Sequence, residues 1–189
     1  MLIRPHAEAP AENAVAKLVK KTGAGIGVVQ NPDAETLGQA LHAVIAAETV
    51  NPSSEDALEV TKRIIETHGL DVHLEPQGVL GAVRAFLKFV QREFNPQRLW
   101  AEYPVTRVLG NGQIVKGWID LLIETDGNWV IIDHKSSTQN ENRLKETSLK
   151  YSGQLFCYKE AVEAASGKKA DCWIHYPVSG HLVSLEYQS

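Results

Sequence analysis

The heptapeptide Trp129-Val130-Ile131-Ile132-Asp133-His134-Lys135 constrains this chain more than any other feature. Three consecutive β-branched apolar residues after a tryptophan fit a strand covered on both faces, which demands a sheet with layers packed above and below it. The strand nevertheless ends in charge. Its two-residue period puts Asp133 and Lys135 on one face. A carboxylate and an ammonium at the end of a buried strand are unfavourable unless they pair, or unless a metal and a charged substrate satisfy them. A surface ion pair at a strand end is the simpler alternative at this point.

A second run carries the same anomaly. Gly117-Trp118-Ile119-Asp120-Leu121-Leu122-Ile123 inserts Asp120 into an apolar strand one hairpin upstream. Cross-strand neighbours can bring Asp120 and Asp133 close enough to share one cation. Two oxygen ligands suit Mg²⁺ or Mn²⁺, hard ions that keep several waters and complete their shell from substrate phosphate. Glu102, in Ala101-Glu102-Tyr103-Pro104, sits in the strand before and could add a further carboxylate. Its alternative is an ordinary exposed strand glutamate.

Around these strands the order of elements is legible. Residues 1–32 form a leading segment, Ala-rich and interrupted by Pro5, Pro10 and Pro32, with a short helix expected over 12–21 and stopped by Gly23. The run Gly23-Ala24-Gly25-Ile26-Gly27 reads as a flexible connection, since no strong strand precedes it to make a phosphate loop. Helical periodicity predicts helices over 34–48, 55–68 and 77–94, the last ending before Pro96. Three strands follow, 99–109, 113–125 and 128–135, joined by Gly110-Asn111-Gly112 and Asp126-Gly127 into a meander. A polar stretch over 136–147 lacks apolar periodicity, a helix is expected over 148–165, and two last strands lie at 170–177 and 181–187. The expected architecture is α/β: a mixed central sheet flanked by helices, with a helical N-terminal half and one domain over 33–189.

Composition narrows the function. No run of apolar residues reaches the length of a membrane span, so a membrane partner is not expected. Two cysteines, Cys157 and Cys172, suit a reducing, cytoplasmic setting and cannot build a four-cysteine cluster. The formal net charge of −4 is the wrong sign for gripping nucleic acid by bulk electrostatics. A DNA partner would require a local basic patch, or delivery by another component.

Taken together, the motifs resemble the PD-(D/E)XK nucleases, and within them the RecB-like nuclease domains of bacterial helicase–nucleases of the AddAB type. The likeness is carried by Leu37-Gly38-Gln39-Ala40-Leu41-His42, Gly117-Trp118-Ile119-Asp120, Asp133-His134-Lys135 and Gln154-Leu155-Phe156-Cys157-Tyr158, in that order. The resemblance implies a restriction-endonuclease-like core. It implies that His42, Asp120, Asp133 and the backbone carbonyl of His134 hold the metal, and that Lys135 orients or helps deprotonate the attacking water. Gln154 and Tyr158, four residues apart and so on one helical face, would contact the DNA backbone. Relatives with an iron–sulfur cluster use four cysteines, so no cluster is expected here.

The reading that follows is a metal-dependent deoxyribonuclease, the exonuclease or end-processing module of a helicase–nuclease in recombination and repair. Its expected partners are DNA and a helicase, whether a domain or a separate chain of the same complex. Arg143 and Lys145, just past the catalytic strand, are expected to touch DNA, because loops beside a rigid site commonly carry binding residues. A catalytically inactive DNA-binding or scaffolding module with the same fold is the alternative.

Overall fold

In the computed structural model, which describes residues 2–3, 9–108, 112, 114–137 and 141–188, the apolar heptapeptide forms a central strand. The elements are β1 (Leu2–Ile3), β2 (Ala14–Lys21), α1 (Ala34–Val50), α2 (Ala57–Thr67), α3 (Pro76–Phe94), β3 (Arg98–Val108), β4 (Ile114–Glu124), β5 (Trp129–His134), α4 (Glu141–Leu149), α5 (Ser152–Ser166), β6 (Ala170–Tyr176) and β7 (His181–Tyr187). They build one mixed sheet in the order β3-β4-β5-β6-β7-β2. The meander β3-β4-β5 is antiparallel, β5 and β6 are parallel, and β1 lies parallel to the start of β4. This is the α/β architecture the sequence predicts.

Two cores explain the uninterrupted apolar run in β5. Val130 and Ile132 pack with Leu41, Val44, Phe86 and Val90 of the helical half. Ile131 packs on the other side with Leu144, Leu155 and Val162 of α4 and α5. The parallel step from β5 to β6 forces a crossover, and α4 and α5 supply it. Local chemistry fixes the helix ends. Asp33 accepts the Thr36 N–H at 2.8 Å to start α1, and Asn95, at φ 45°, closes α3 ahead of Pro96.

The structure corrects three sequence expectations. The helix expected over 12–21 is the strand β2, paired antiparallel with β7, so part of the leading segment 1–32 belongs to the same sheet. Alanine and lysine favour helix locally, but without β2 the outer edge of β7 would be left open, and that tertiary pairing prevails. The glycine run is not a loose connection. A Cβ on Gly25 would lie 2.2 Å from the Val178 carbonyl oxygen, and Thr22 N–H bonds to the Gly180 carbonyl at 2.8 Å, so it packs against the β6–β7 turn. The polar stretch contains α4. Its inward side uses Leu144 and Ser148, whose hydroxyl meets that of Tyr176 at 2.9 Å, a pattern with too few apolar residues for periodicity to reveal. The expected turn Gly110-Asn111-Gly112 lies, Gly112 apart, outside the described residues. No helix among the described residues is long and apolar enough to cross a membrane.

If β2 belongs to the folded unit, deleting residues 1–32 uncovers the edge of β7. The melting temperature of the truncated chain should fall by about 10 °C or more, the shift for losing several kcal/mol in a domain of this size. Circular dichroism melting of both chains measures this, and equal melting would mean that β2 is dispensable.

Candidate active site

The site begins where two strands stop pairing. β4 and β5 are in register from Glu124↔Trp129 to Leu121↔Ile132, and no further. At the next position Asp120 Oδ2 accepts the backbone N–H of His134 at 2.6 Å. The carboxylate thus takes over a ladder donor that would otherwise be left unpaired. β4 also changes face here: Ile119 and Leu122 both join the α5-side core, while Leu121 joins the other. Opposite Asp120 on β3, Glu102 has φ 51°, the left-handed region that a non-glycine rarely enters inside a strand. Such strain is typical of functional sites.

His42, Glu102 and Asp120 come together at this break, with one ligand atom of each within 4.8 Å of the others. The His42 Nε2–H donates to the His134 carbonyl at 2.9 Å, which leaves the Nδ1 lone pair 3.6 Å from Asp120 Oδ1. The helical histidine therefore faces the carboxylates and is not core filling. Asp133 stands beside this group, buried, with Oδ2 2.6 Å from Lys135 Nζ and Oδ1 accepting Gln154 Nε2–H at 3.1 Å. The Gln154 amide also reaches the Tyr158 hydroxyl at 3.4 Å.

Electrostatics follow from burial. Burial raises the Asp120 pKa well above the ordinary carboxylate range, and the nearby Asp133 charge raises it further, against the His134 N–H. Burial alone would lower Lys135, but the Asp133 carboxylate outweighs it and holds the ammonium above its usual range. Behind the strand, His134 Nδ1 and His175 Nδ1 lie 3.1 Å apart, one donating and one accepting. Burial pushes both rings toward neutrality, His175 down to about 3.

The donor set fits a hard divalent cation: carboxylate oxygens from Asp120, Glu102 and Asp133, the His134 carbonyl and an imidazole nitrogen. Burial, and after it the neighbouring Asp133 charge, disfavours the Asp120 carboxylate, and a bound cation would offset both. Sequence reasoning missed two partners. Tyr151 places its ring 4.8 Å from Lys135 Nζ, and His175 braces His134 while its carbonyl accepts the Lys135 N–H at 2.8 Å. No motif signals either, because both contacts arise from crossing elements. Arg143 and Lys145 are exposed on α4, which packs over β2 and β7 toward the far side of the sheet from Asp120.

The break gathers Asp120 and Asp133-His134-Lys135, the motifs that carry the sequence resemblance. The sequence profile of the PD-(D/E)XK nuclease superfamily matches residues 16–187, and the chain belongs to that superfamily. Among curated proteins it is similar to an ATP-dependent helicase/nuclease subunit of Clostridium acetobutylicum, 31% identical over 39% of this chain and 6% of that protein. The corresponding protein from Carboxydothermus hydrogenoformans is 32% identical over 42% of this chain and 8% of its own length. The aligned part is thus under a tenth of these relatives. A solved structure from Eubacterium rectale aligns at 15% identity with a TM-score of 0.39, over 78% of this chain and 59% of its own, and adds nothing to the assignment.

Clustered carboxylates make a stability prediction. Asp120→Asn keeps the side-chain shape and deletes one charge, so it should raise the metal-free melting temperature. Because the folded pKa is raised, the wild-type contribution is full below about pH 4 and is lost as pH rises through the folded value. The advantage of the variant should therefore grow as pH rises above about 4, the ordinary carboxylate range. A divalent cation at 100 times its Kd should stabilise wild type by about 2.7 kcal/mol and the variant far less. Differential scanning fluorimetry reads both effects, and a lowered metal-free melting temperature with an intact metal response would make Asp120 purely structural.

Proposed function

We propose that the chain is a metal-dependent DNA nuclease that hydrolyses phosphodiester bonds with one activated water. Its role in this reading is the exonuclease or end-processing module of a cytoplasmic helicase–nuclease acting in recombination and repair. The observation that carries it is the Asp133–Lys135 contact at 2.6 Å beside the His42, Glu102 and Asp120 group. The helicase partner is supported by the relatives' names, which describe ATP-dependent helicase/nuclease components. A motor that threads DNA to the site would also suit a chain with net charge −4.

Bound Mg²⁺ or Mn²⁺ supplies Lewis acidity and a lowered pKa for water. His42 through Nδ1, Asp120, Asp133, the His134 carbonyl and Glu102 are the residues to hold it. Lys135, fixed between Asp133 and the face of Tyr151, orients the water and offsets charge developing on the phosphate. Gln154 keeps Asp133 aimed and meets the DNA backbone, whereas Tyr158, expected beside it, is buried in the α5-side core with its hydroxyl on the Gln154 amide and acts by positioning Gln154. Arg143 and Lys145 take phosphates farther from the scissile bond. An inactive binding module of this fold would have no need to retain His42, Asp120, Asp133 and Lys135 together. Cleavage of a labelled oligonucleotide with Mg²⁺ and not with EDTA separates the two readings.

Lys135→Ala should lower the cleavage rate about 10²–10³-fold, the effect of removing one preorganised charge, with metal affinity largely kept. Asp120→Ala or Asp133→Ala should abolish cleavage. Single-turnover assays and calorimetric metal titration distinguish these, and near-normal cleavage by the lysine variant would reduce Lys135 to a strand-end charge. Reversing Arg143 and Lys145 to Glu should weaken DNA binding and flatten its salt dependence by about 0.7–0.9 in log–log slope per lost contact. An unchanged slope in anisotropy titrations would remove α4 from the interface.

A further inference from the structure

Past the site, β3 and β4 run on as a paired ribbon through Pro104↔Trp118, Thr106↔Lys116 and Val108↔Ile114, with β1 alongside β4 at its far end. One face of this ribbon is covered by α5. Val105 and Ile119 join the core beneath that helix, and Arg107 Nη1 lies 3.1 Å from Glu160 Oε2. Among the described residues, no element covers the opposite face. Trp118 is 58% exposed and Val108 67%, and Pro104, Thr106 and Lys116 are exposed beside them. This face starts at Glu102 and Asp120, and at the usual rise of an antiparallel strand it extends about 20 Å from Asp120 to Ile114. Among the described residues, no strand pairs with the inner edge of β4 between the β1 contact at Val115 and the β5 contact at Leu121. The Tyr158 hydroxyl faces the Trp118 backbone across that gap.

A solvent-facing ribbon normally carries polar residues, and a tryptophan more than half exposed next to a carboxylate cluster marks a contact surface. We infer that this face leads a single-stranded end of nucleic acid to the carboxylates, with a base stacked on Trp118 and a phosphate against Lys116. The inference rests on the nuclease reading and names its substrate. Continuity with the site and charge select the occupant. Anything lying along the face abuts Asp120, and among the described residues Lys116 is an exposed cation on the way. With a net charge of −4 the chain lacks a bulk field for phosphates, so stacking must supply much of the affinity. Stacking tolerates any sequence but needs a base released from the duplex.

Anisotropy titration of the full chain with a labelled oligothymidylate of about 12 nucleotides, a length within the usual single-strand site size, tests this without divalent metal and so independently of cleavage. Trp118→Ala should weaken binding about 5–100-fold and Trp118→Phe should restore most of it. Removing the bases of three adjacent nucleotides should weaken wild type by a similar factor while adding little to the Trp118→Ala loss. Lys116→Ala should lower the salt slope by about one contact. A blunt duplex should show no Trp118 dependence. Wild-type affinity in Trp118→Ala, an equal loss on intact and abasic strands, or an equal loss on duplex would each overturn the track. Trp118-dependent binding without Mg²⁺-dependent cleavage would uphold the track and sink the nuclease reading. Cleavage indifferent to Trp118 would do the reverse.

Discussion

The hydrogen bond from the His134 N–H to the Asp120 carboxylate is the contact on which the site depends. A sheet that continued its ladder would pair β4 with β5 beyond Leu121 and leave no space between them. By substituting a side-chain oxygen for a backbone carbonyl, the chain separates the strands while satisfying a donor that burial would otherwise penalise. The unusual φ of Glu102 and the exchange of faces around Asp120 occur at the same level of the sheet. The gap is thus built into the pairing and needs no flexible loop.

Charge is distributed unevenly around that gap. Asp133 has its own cation in Lys135 and a neutral donor in Gln154, so its charge is locally balanced. Asp120 has backbone and imidazole neighbours and, among the described residues, no lysine or arginine in direct contact, and Glu102 adds to the same side. The uncompensated charge therefore sits with His42, Glu102 and Asp120, where an ion would be held most strongly. The histidine pair behind β5 keeps this asymmetry by remaining neutral: a charged His134 or His175 would compete for the same carboxylates.

The two faces of the sheet divide the labour between them. The helical half delivers His42 from α1, and the crossover half delivers Gln154, Tyr158 and Tyr151 around α5. Neither half holds a complete site. Their meeting at the strand break joins the candidate site to folding, because the cores that close on β5 from either side also bring these groups into range.

Much of this was legible in the sequence because it follows from short-range periodicity. The apolar run before Asp133 specified a doubly covered strand, the helical spacing of Leu37, Leu41, Val44 and Ile45 specified α1, and the ordered motifs carried His42, Asp120, Asp133 and Lys135. Long-range pairing was not legible. Residues 14–21 have a helix-tolerant composition and become a strand only because β7 offers an edge, and α4 buries a serine that no hydrophobic pattern flags. The left-handed Glu102, the His134–His175 pair and the attachment of Gln154 to Asp133 likewise depend on which elements cross. Local periodicity determined which groups lie near strand and helix ends. Tertiary structure alone decided which of them meet, because the contacts that complete the site join residues far apart in the chain.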